Sequence, residues 1–374
     1  MAGGVGFHGP TVRLWACDWQ TPLAEIDTYD HGTLIARYNE ISTYELELPA
    51  DTEAAQLLLA ADRPRLLIFT DDVVYRSGPV TRIERTRDAT TDMVTLNGVD
   101  DLAWLARRLA HPQPGTAAPP YSTTAYDART GAASQVIAGY VDRNAGPSAI
   151  AARQVPGLTV PTPAAFGGTI TTSARYQGLL AFLQPIAAAA HLGIRVRDLA
   201  FEVFQPTGAA VFNVGLGTLA SWQSALEAPD LNYVYVAGQG VNELRLIREY
   251  QDTGAVLQWG RIETFVDQRQ TNVTAELDQA GAEALADGVR PIMVTLEVMD
   301  TDGQQFLRDW NVGDLATVVV GDLVTTDVIV EAQIDLLPNR PLQVRPTVGA
   351  SSLTLAQWRL AQRQAQRLRQ LERI

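Results

Sequence analysis

Residues 313–337 read GDLATVVVGDLVTTDVIVEAQIDLL, and their alternating pattern decides the fold. Gly313 and Asp314 lead into Leu315–Val320, and Gly321 with Asp322 turns the chain into Leu323–Leu337. β-branched residues at a period of two, broken by Gly-Asp pairs, predict antiparallel strands joined by tight turns. Just upstream, Pro291–Met299 and Phe306–Trp310 are expected to meet as a hairpin across Asp300–Gly303. Hairpins this close together, from about residue 291 to 348, predict a small barrel or sandwich.

The first hundred residues repeat the pattern. Val12, Leu14 and Ala16 alternate within Thr11–Asp18, and Tyr44, Leu46 and Leu48 share one side of Thr43–Leu48. Pro49 closes that strand, and Asp51 is expected to cap a short helix over Thr52–Ala61. Arg65–Thr70, Val73–Arg87 and Met93–Leu96 are again strand-like, and Gly98, Asp100 and Asp101 start a helix ending near Leu109. Strands plugged by a short helix predict a second strongly bent barrel or sandwich.

Between these β regions the period changes. His111–Pro120 holds four prolines and one glycine, a loop and the clearest domain boundary. Beyond it, Val136, Ile137, Tyr140 and Val141 share one face of a helix over Ala132–Arg143, and Leu179, Leu180, Leu183 and Ile186 do so over Tyr176–His191. Strands resume at Ile194–Arg197, Phe201–Phe204, Asn232–Ala237 and Val241–Arg248. Val256–Asp267 reads as one long strand and Ala275–Ala286 as a helix. The expected fold is mainly β with an α+β insertion. A first β-domain spans residues 10–110, completed by about 195–250, and an insertion spans 111–194. A second β-barrel spans 251–350, and a C-terminal amphipathic helix spans 351–374.

That last segment carries Trp358, Ala361, Ala365, Leu368 and Leu371 at steps of three and four, with Arg359, Arg363 and Arg367 on another face. It either folds back on its own barrel, forms a short three-helix bundle, or docks a partner. Its five arginines against one acid give +4, leaving −17 of the total −13 for residues 1–350.

Composition narrows the function. A net charge of −13 argues against a sequence-independent grip on nucleic acid or anionic lipid, since both need a cationic face. All 29 basic residues are arginine, which together with abundant alanine fits a GC-rich coding genome. Gly178–Leu192 is the most apolar stretch and is too short to span a bilayer. Met1–Gly9 has no basic region before an apolar run, so no Sec-type export is expected. The single Cys17 excludes an internal disulfide framework.

Candidate chemistry is thin. His8, His31, His111 and His191 are scattered, with no metal-ligand spacing. Cys17 sits in a strand, where an inert thiol is expected. The glycines of 215–217 and 238–240 fall short of a nucleotide-binding fingerprint and read as turns. Asp300-Thr-Asp-Gly303 opens like a calcium loop, but position 311 is Asn311 where the bidentate glutamate should stand. Carboxylate pairs suited to glycoside hydrolysis are Asp71 with Asp72, Asp100 with Asp101, and Asp300 with Asp302. Each lies at a turn or helix start, where aspartate serves as a cap. No catalytic residue, metal or cofactor is expected.

Five strings carry a resemblance: Tyr44-Glu-Leu-Glu-Leu-Pro49, Ser77-Gly-Pro-Val-Thr-Arg-Ile-Glu84, Leu96-Asn-Gly-Val-Asp-Asp-Leu102, Arg261-Ile-Glu-Thr-Phe-Val-Asp267 and Trp310-Asn-Val-Gly-Asp-Leu315. In this order, from about residue 11 to 350, the chain resembles the Gp37-like tail-hub or tail-tip proteins of siphophages. That family is similar to the baseplate hub of contractile tails. The resemblance implies two barrel-like hub domains per subunit and a non-enzymatic structural role in the virion, after synthesis in the host cytoplasm. It further implies a homotrimer presenting six similar barrels, joining the six-fold tail tube or distal-tail ring to tip and fibre proteins. DNA and the tape-measure protein would pass through its bore, with no stable membrane binding. Some members carry a wall-degrading domain after the hub; with about 25 residues following the second barrel, none is expected here. The competing readings are a carbohydrate-active tail protein using a carboxylate pair and a carbohydrate-binding module. Trp358, Ala361, Ala365, Leu368 and Leu371 are the expected oligomer or partner contacts.

Overall fold

A computed structural model describes residues 11–16, 21–61, 64–70, 73–116, 123–225, 227–289, 292–298, 304–320, 323–337 and 343–350. The chain opens with β1 (Thr11–Trp15), β2 (Pro22–Ile26), β3 (His31–Arg37), β4 (Thr43–Pro49), α1 (Glu53–Ala60), β5 (Arg65–Thr70), β6 (Val73–Arg87), β7 (Asp92–Val99) and the single turn α2 (Ala103–Ala106). A helical unit follows, built from β8 (Leu109–Ala110), β9 (Asp127–Ala132), α3 (Ala133–Asn144), β10 (Thr169–Ala174), β11 (Gln177–Gly178), α4 (Leu179–Ala189), β12 (Gly193–Arg197) and β13 (Ala200–Phe204). After β14 (Ala210–Asn213) and β15 (Leu219–Ala225) comes a third unit of β16 (Tyr233–Ala237), β17 (Ile247–Gln251), α5 (Thr253–Trp259), β18 (Glu263–Asp267) and α6 (Thr274–Gly288). The last strands are β19 (Ile292–Val298), β20 (Leu315–Val320), β21 (Leu323–Leu336) and β22 (Gln343–Ala350).

The fold is mainly β, as the alternation predicts. Thirteen strands form one sheet in the order β15-β19-β22-β21-β3-β4-β7-β6-β5-β1-β2, with β20 also on β21 and β14 on β20. Two unusually long strands organise it. β6 runs 15 residues, pairing with β5 through its first half and with β7 through its second. β21 runs 14 residues and divides itself in the same way between β20 and β22. Each carries a register shift near the changeover, between Val80 and Arg82 and between Ile329 and Glu331. Such bulges bend a strand and let it leave one sheet for another.

The two halves join where β3 pairs with β21, from Arg37 opposite Glu331 to Gly32 opposite Leu336. An Arg37–Glu331 ion pair at 3.0 Å spans that seam. One apolar cluster underlies both halves, with Leu34, Leu66 and Leu96 from the first and Phe212, Trp310, Ile334 and Val348 from the second. A second core belongs to the helical unit and includes Val136, Tyr140, Leu183 and Ile186 from the faces that periodicity picks out. The third unit has its own small core, Val234, Val236, Leu277 and Ala280.

Three sequence expectations are corrected. Val256–Asp267 is not one strand: Asp252 caps α5 by accepting from the Ala255 amide at 3.0 Å, and Gly260, at φ +77°, ends the helix before β18. Thr52, not Asp51, caps α1, its hydroxyl accepting from the Ala55 amide at 3.2 Å. Phe306–Trp310 is no strand partner of β19, which pairs with β15 and β22 instead. Phe306 and Trp310 form a bridge in a closed loop and pack into the main core.

Asn39, in the turn between β3 and β4, pins the helical unit to the sheet. Its side chain donates to the Leu192 carbonyl at 2.8 Å and accepts from the Ile194 amide at 2.7 Å. Its own carbonyl accepts from the Gln184 side chain at 2.9 Å. Its φ of +58° is a left-handed conformation that asparagine tolerates better than most residues. Asn39→Ala should therefore cost about 2–3 kcal/mol, two hydrogen bonds plus strain, read as a lower urea midpoint.

Candidate assembly site

The strings Ser77-Gly-Pro and Gly98-Val-Asp-Asp-Leu102 build one buried polar junction between the main sheet and the helical unit. Asp101 and Arg65 are 0% and 2% exposed and form a direct ion pair. Ser77 supports both, accepting from Arg65 at 2.9 Å and donating to Asp101 at 2.5 Å. The Trp104 indole donates to the other Asp101 oxygen at 3.3 Å and reaches the helical core. Asp100 accepts from the Ser42 and Leu102 amides at 3.1 and 3.2 Å, and the Tyr44 hydroxyl donates to the Gly78 carbonyl at 2.9 Å.

Two glycines make this packing possible. A Cβ on Gly78 would lie 2.0 Å from the Val99 carbonyl oxygen, and one on Gly98 2.0 Å from the Tyr44 ring. Burial pushes the Asp100 carboxyl up to about 6. It also raises that of Asp101, against the pull of Arg65 and the bonds from Ser77 and Trp104.

A buried, fully bonded carboxylate pair is a structural clamp. Asp100 and Asp101 are closed to solvent and reach no substrate, so this pair is unsuited to the glycoside hydrolysis considered for it. Asp71, Asp72, Asp300, Asp302, Cys17 and His8 lie outside the described residues, as do Trp358, Ala361, Ala365, Leu368 and Leu371. His31 meets Thr33 at 3.1 Å, His111 stacks edge-on against Tyr176 at 4.9 Å, and His191 sits in the turn that ends α4. No group of three metal-binding side chains assembles among the described residues. No described helix is long and apolar enough to cross a membrane.

The third unit docks through α6, which packs against α4 and β10 of the helical unit. A polar cavity of about 130 Å³ lies there, lined by Thr172, Gln268, Gln279 and Glu283 among others. Burial pushes the Glu283 carboxyl up to about 7, opposed only by a hydrogen bond from Gln279 at 2.8 Å. A carboxyl raised in the folded state favours folding more as pH falls, here from about 7 toward the ordinary 4.5. The unfolding midpoint should rise across that window in the native chain, and Glu283→Gln should remove that share of the rise.

Sequence reasoning missed Arg65 and Asn39. Arginine opening an apolar strand is a usable signal for a buried pair, but asparagine in a turn has no such mark.

The Siphovirus ReqiPepy6 Gp37-like protein family matches residues 11–350. The chain belongs to this Gp37-like family. Membership makes it a structural tail component of a phage virion. No curated protein sequence matches it. Among solved structures, the Gp37-like chain is similar to the 43 kDa tail protein of prophage MuSo2 from Shewanella oneidensis. That match has 11% identity and TM-score 0.58, covering 91% of this chain and 99% of that one. A tail protein from Neisseria meningitidis MC58 matches at 11% and 0.58, covering 91% and 97%. Prophage tail protein gp18 from Listeria monocytogenes EGD-e matches at 10% and 0.55, covering 92% and 96%. At such low identity the likeness is one of fold, and it runs through nearly the whole of each chain.

Proposed function

We propose that this Gp37-like chain is the hub of the tail tip and works without catalysis. Three copies form a ring that joins the six-fold tail tube or distal-tail ring to tip and fibre proteins. The bore passes DNA and the tape-measure protein. The observation that carries this reading is the repeated use of one long, bent strand. β6 organises one half of the sheet and β21 the other, so each subunit holds two comparable β units side by side. We read these two β units as the counterparts of the hub domains expected over 10–110 (completed by about 195–250) and 251–350, with β14 and β15 joining the second half and 253–288 lying in the third unit instead. Three subunits would supply the six units that a six-fold tube needs.

Charge supports the same reading. Residues 1–350 carry −17, and a like-charged wall discourages DNA from sticking in passage. The buried Arg65–Asp101 clamp and the Asn39 pin hold the units together, as a load-transmitting ring requires.

Light scattering of the purified chain tests the ring. A hub gives a particle of three times 40.6 kDa at high protein concentration. A strictly dimeric species, or release of sugar from host cell wall by the purified chain, would count against the proposal.

A further inference from the structure

The third unit joins the main sheet at one place. β15 and β19 pair antiparallel, from Leu219 opposite Val298 to Ala225 opposite Met293, and every element of the unit lies in the chain between them. The chain therefore enters and leaves the unit side by side. The unit also closes its own base, where the Asp230 amide donates to the Gly288 carbonyl at 3.0 Å. Its core of Val234, Val236, Leu277 and Ala280 shares no residue with that of the helical unit. A unit with its own core on a two-strand stalk turns as one body unless a second contact holds it.

That second contact is the packing of α6 on α4 and β10, and it is polar. Of the eleven residues around the cavity there, only Phe182 and Ala280 are apolar. α4 and β10 carry no charged residue, so no ion pair crosses from them to α6. Glu283 faces them from α6, bonded to Gln279 of its own helix at 2.8 Å. Glu276 lines the same cavity and adds like charge.

The cations nearby are committed elsewhere. Arg129 of β9 pairs with Asp127 at 3.0 Å, and Arg175, just past β10, donates to the Ala125 carbonyl at 2.6 Å. Arg269, in the loop after β18, pairs with Asp267. On the sheet side of α6, Arg248 and Tyr250 meet Asp278 at 3.0 and 2.5 Å. The Tyr140 hydroxyl of α3 donates to the Asp127 carbonyl at 2.6 Å. Glu283 therefore has no counter-charge while docked, and its ionised form carries the cost of desolvation.

We propose that the third unit is a hinged module latched by α6, and that Glu283 releases the latch when it gives up its proton. The module then turns on the β15–β19 stalk and uncovers β10 and Phe182. The sign follows from burial, which raises the Glu283 carboxyl to about 7 from an ordinary 4.5. Docking and protonation favour each other, so the latch tightens as pH falls through that window and loosens as pH rises. This inference does not depend on the hub reading.

Two measurements on the full chain test it. The first puts spin labels at exposed Gln135 of α3 and Gln258 of α5, in a background without the only cysteine (C17S), and reads the distance between units. One narrow distribution is expected at about pH 5, and a second, longer population at about pH 8. E283Q, uncharged throughout, should keep the narrow distribution at the higher pH. Identical distributions at both pH values with Glu283 in place overturn the proposal, and so does a pH response that survives E283Q. The second is amide hydrogen exchange over 169–183, comparing the native chain with E283Q at that same higher pH. The native chain should exchange about tenfold faster, and equal rates overturn the proposal.

Discussion

Asp101→Ala is expected to destabilise the chain by about 3–5 kcal/mol, because it removes the carboxylate that faces the buried Arg65 charge. Arg65 is 2% exposed and Asp101 0%, so the pair is closed to bulk water. Ser77 and the Trp104 indole lose a partner in the same step. The double replacement Arg65→Met with Asp101→Leu removes both charges and should recover most of the loss. Urea unfolding followed by circular dichroism gives both numbers. A loss under about 1 kcal/mol for Asp101→Ala would mean that Arg65 finds solvent by a small movement.

The second large effect is that of Trp310→Ala, at about 3–5 kcal/mol for a buried tryptophan. Trp310 is 2% exposed, with Phe306 at 4.8 Å and Phe212 at 5.4 Å. Its neighbour Phe306 meets the Tyr75 ring of β6 at 5.7 Å, across the boundary between the halves. Because one core serves both, hydrogen exchange should accelerate together in β3–β7 and in β19–β22. Acceleration confined to the C-terminal strands would show two separately stabilised barrels.

Much of this architecture is legible in the sequence, and the limits have physical causes. Val136, Ile137, Tyr140 and Val141 mark a helix because one stripe of a helix is buried, and all four are in the core. Tyr44, Leu46 and Leu48 mark a strand because one face is buried, and they are too. α5 escapes this logic. Val256 and Trp259 favour strands by type, and no residue of the helix is buried, so no stripe reveals it. Only the Asp252 cap and Gly260 betray it.

The join between the halves is hidden for another reason. Arg37 and Glu331 are 294 residues apart, and strand pairing at that distance depends on shape and core packing rather than on local pattern. The same holds for Arg65 and Asp101, 36 residues apart. Asp100 and Asp101 look like ordinary helix-start aspartates, and only the folded chain shows them enclosed. The five strings of the family resemblance mark turns and strands, and two of them turn out to form the clamp between units.

The most direct measurement is a cryo-electron-microscopy reconstruction of the parent particle's tail tip. A hub requires three copies of this chain around the tail axis, their β6 and β21 units alternating as six around the bore. Finding the chain away from the axis, or in a number other than three, would contradict the hub.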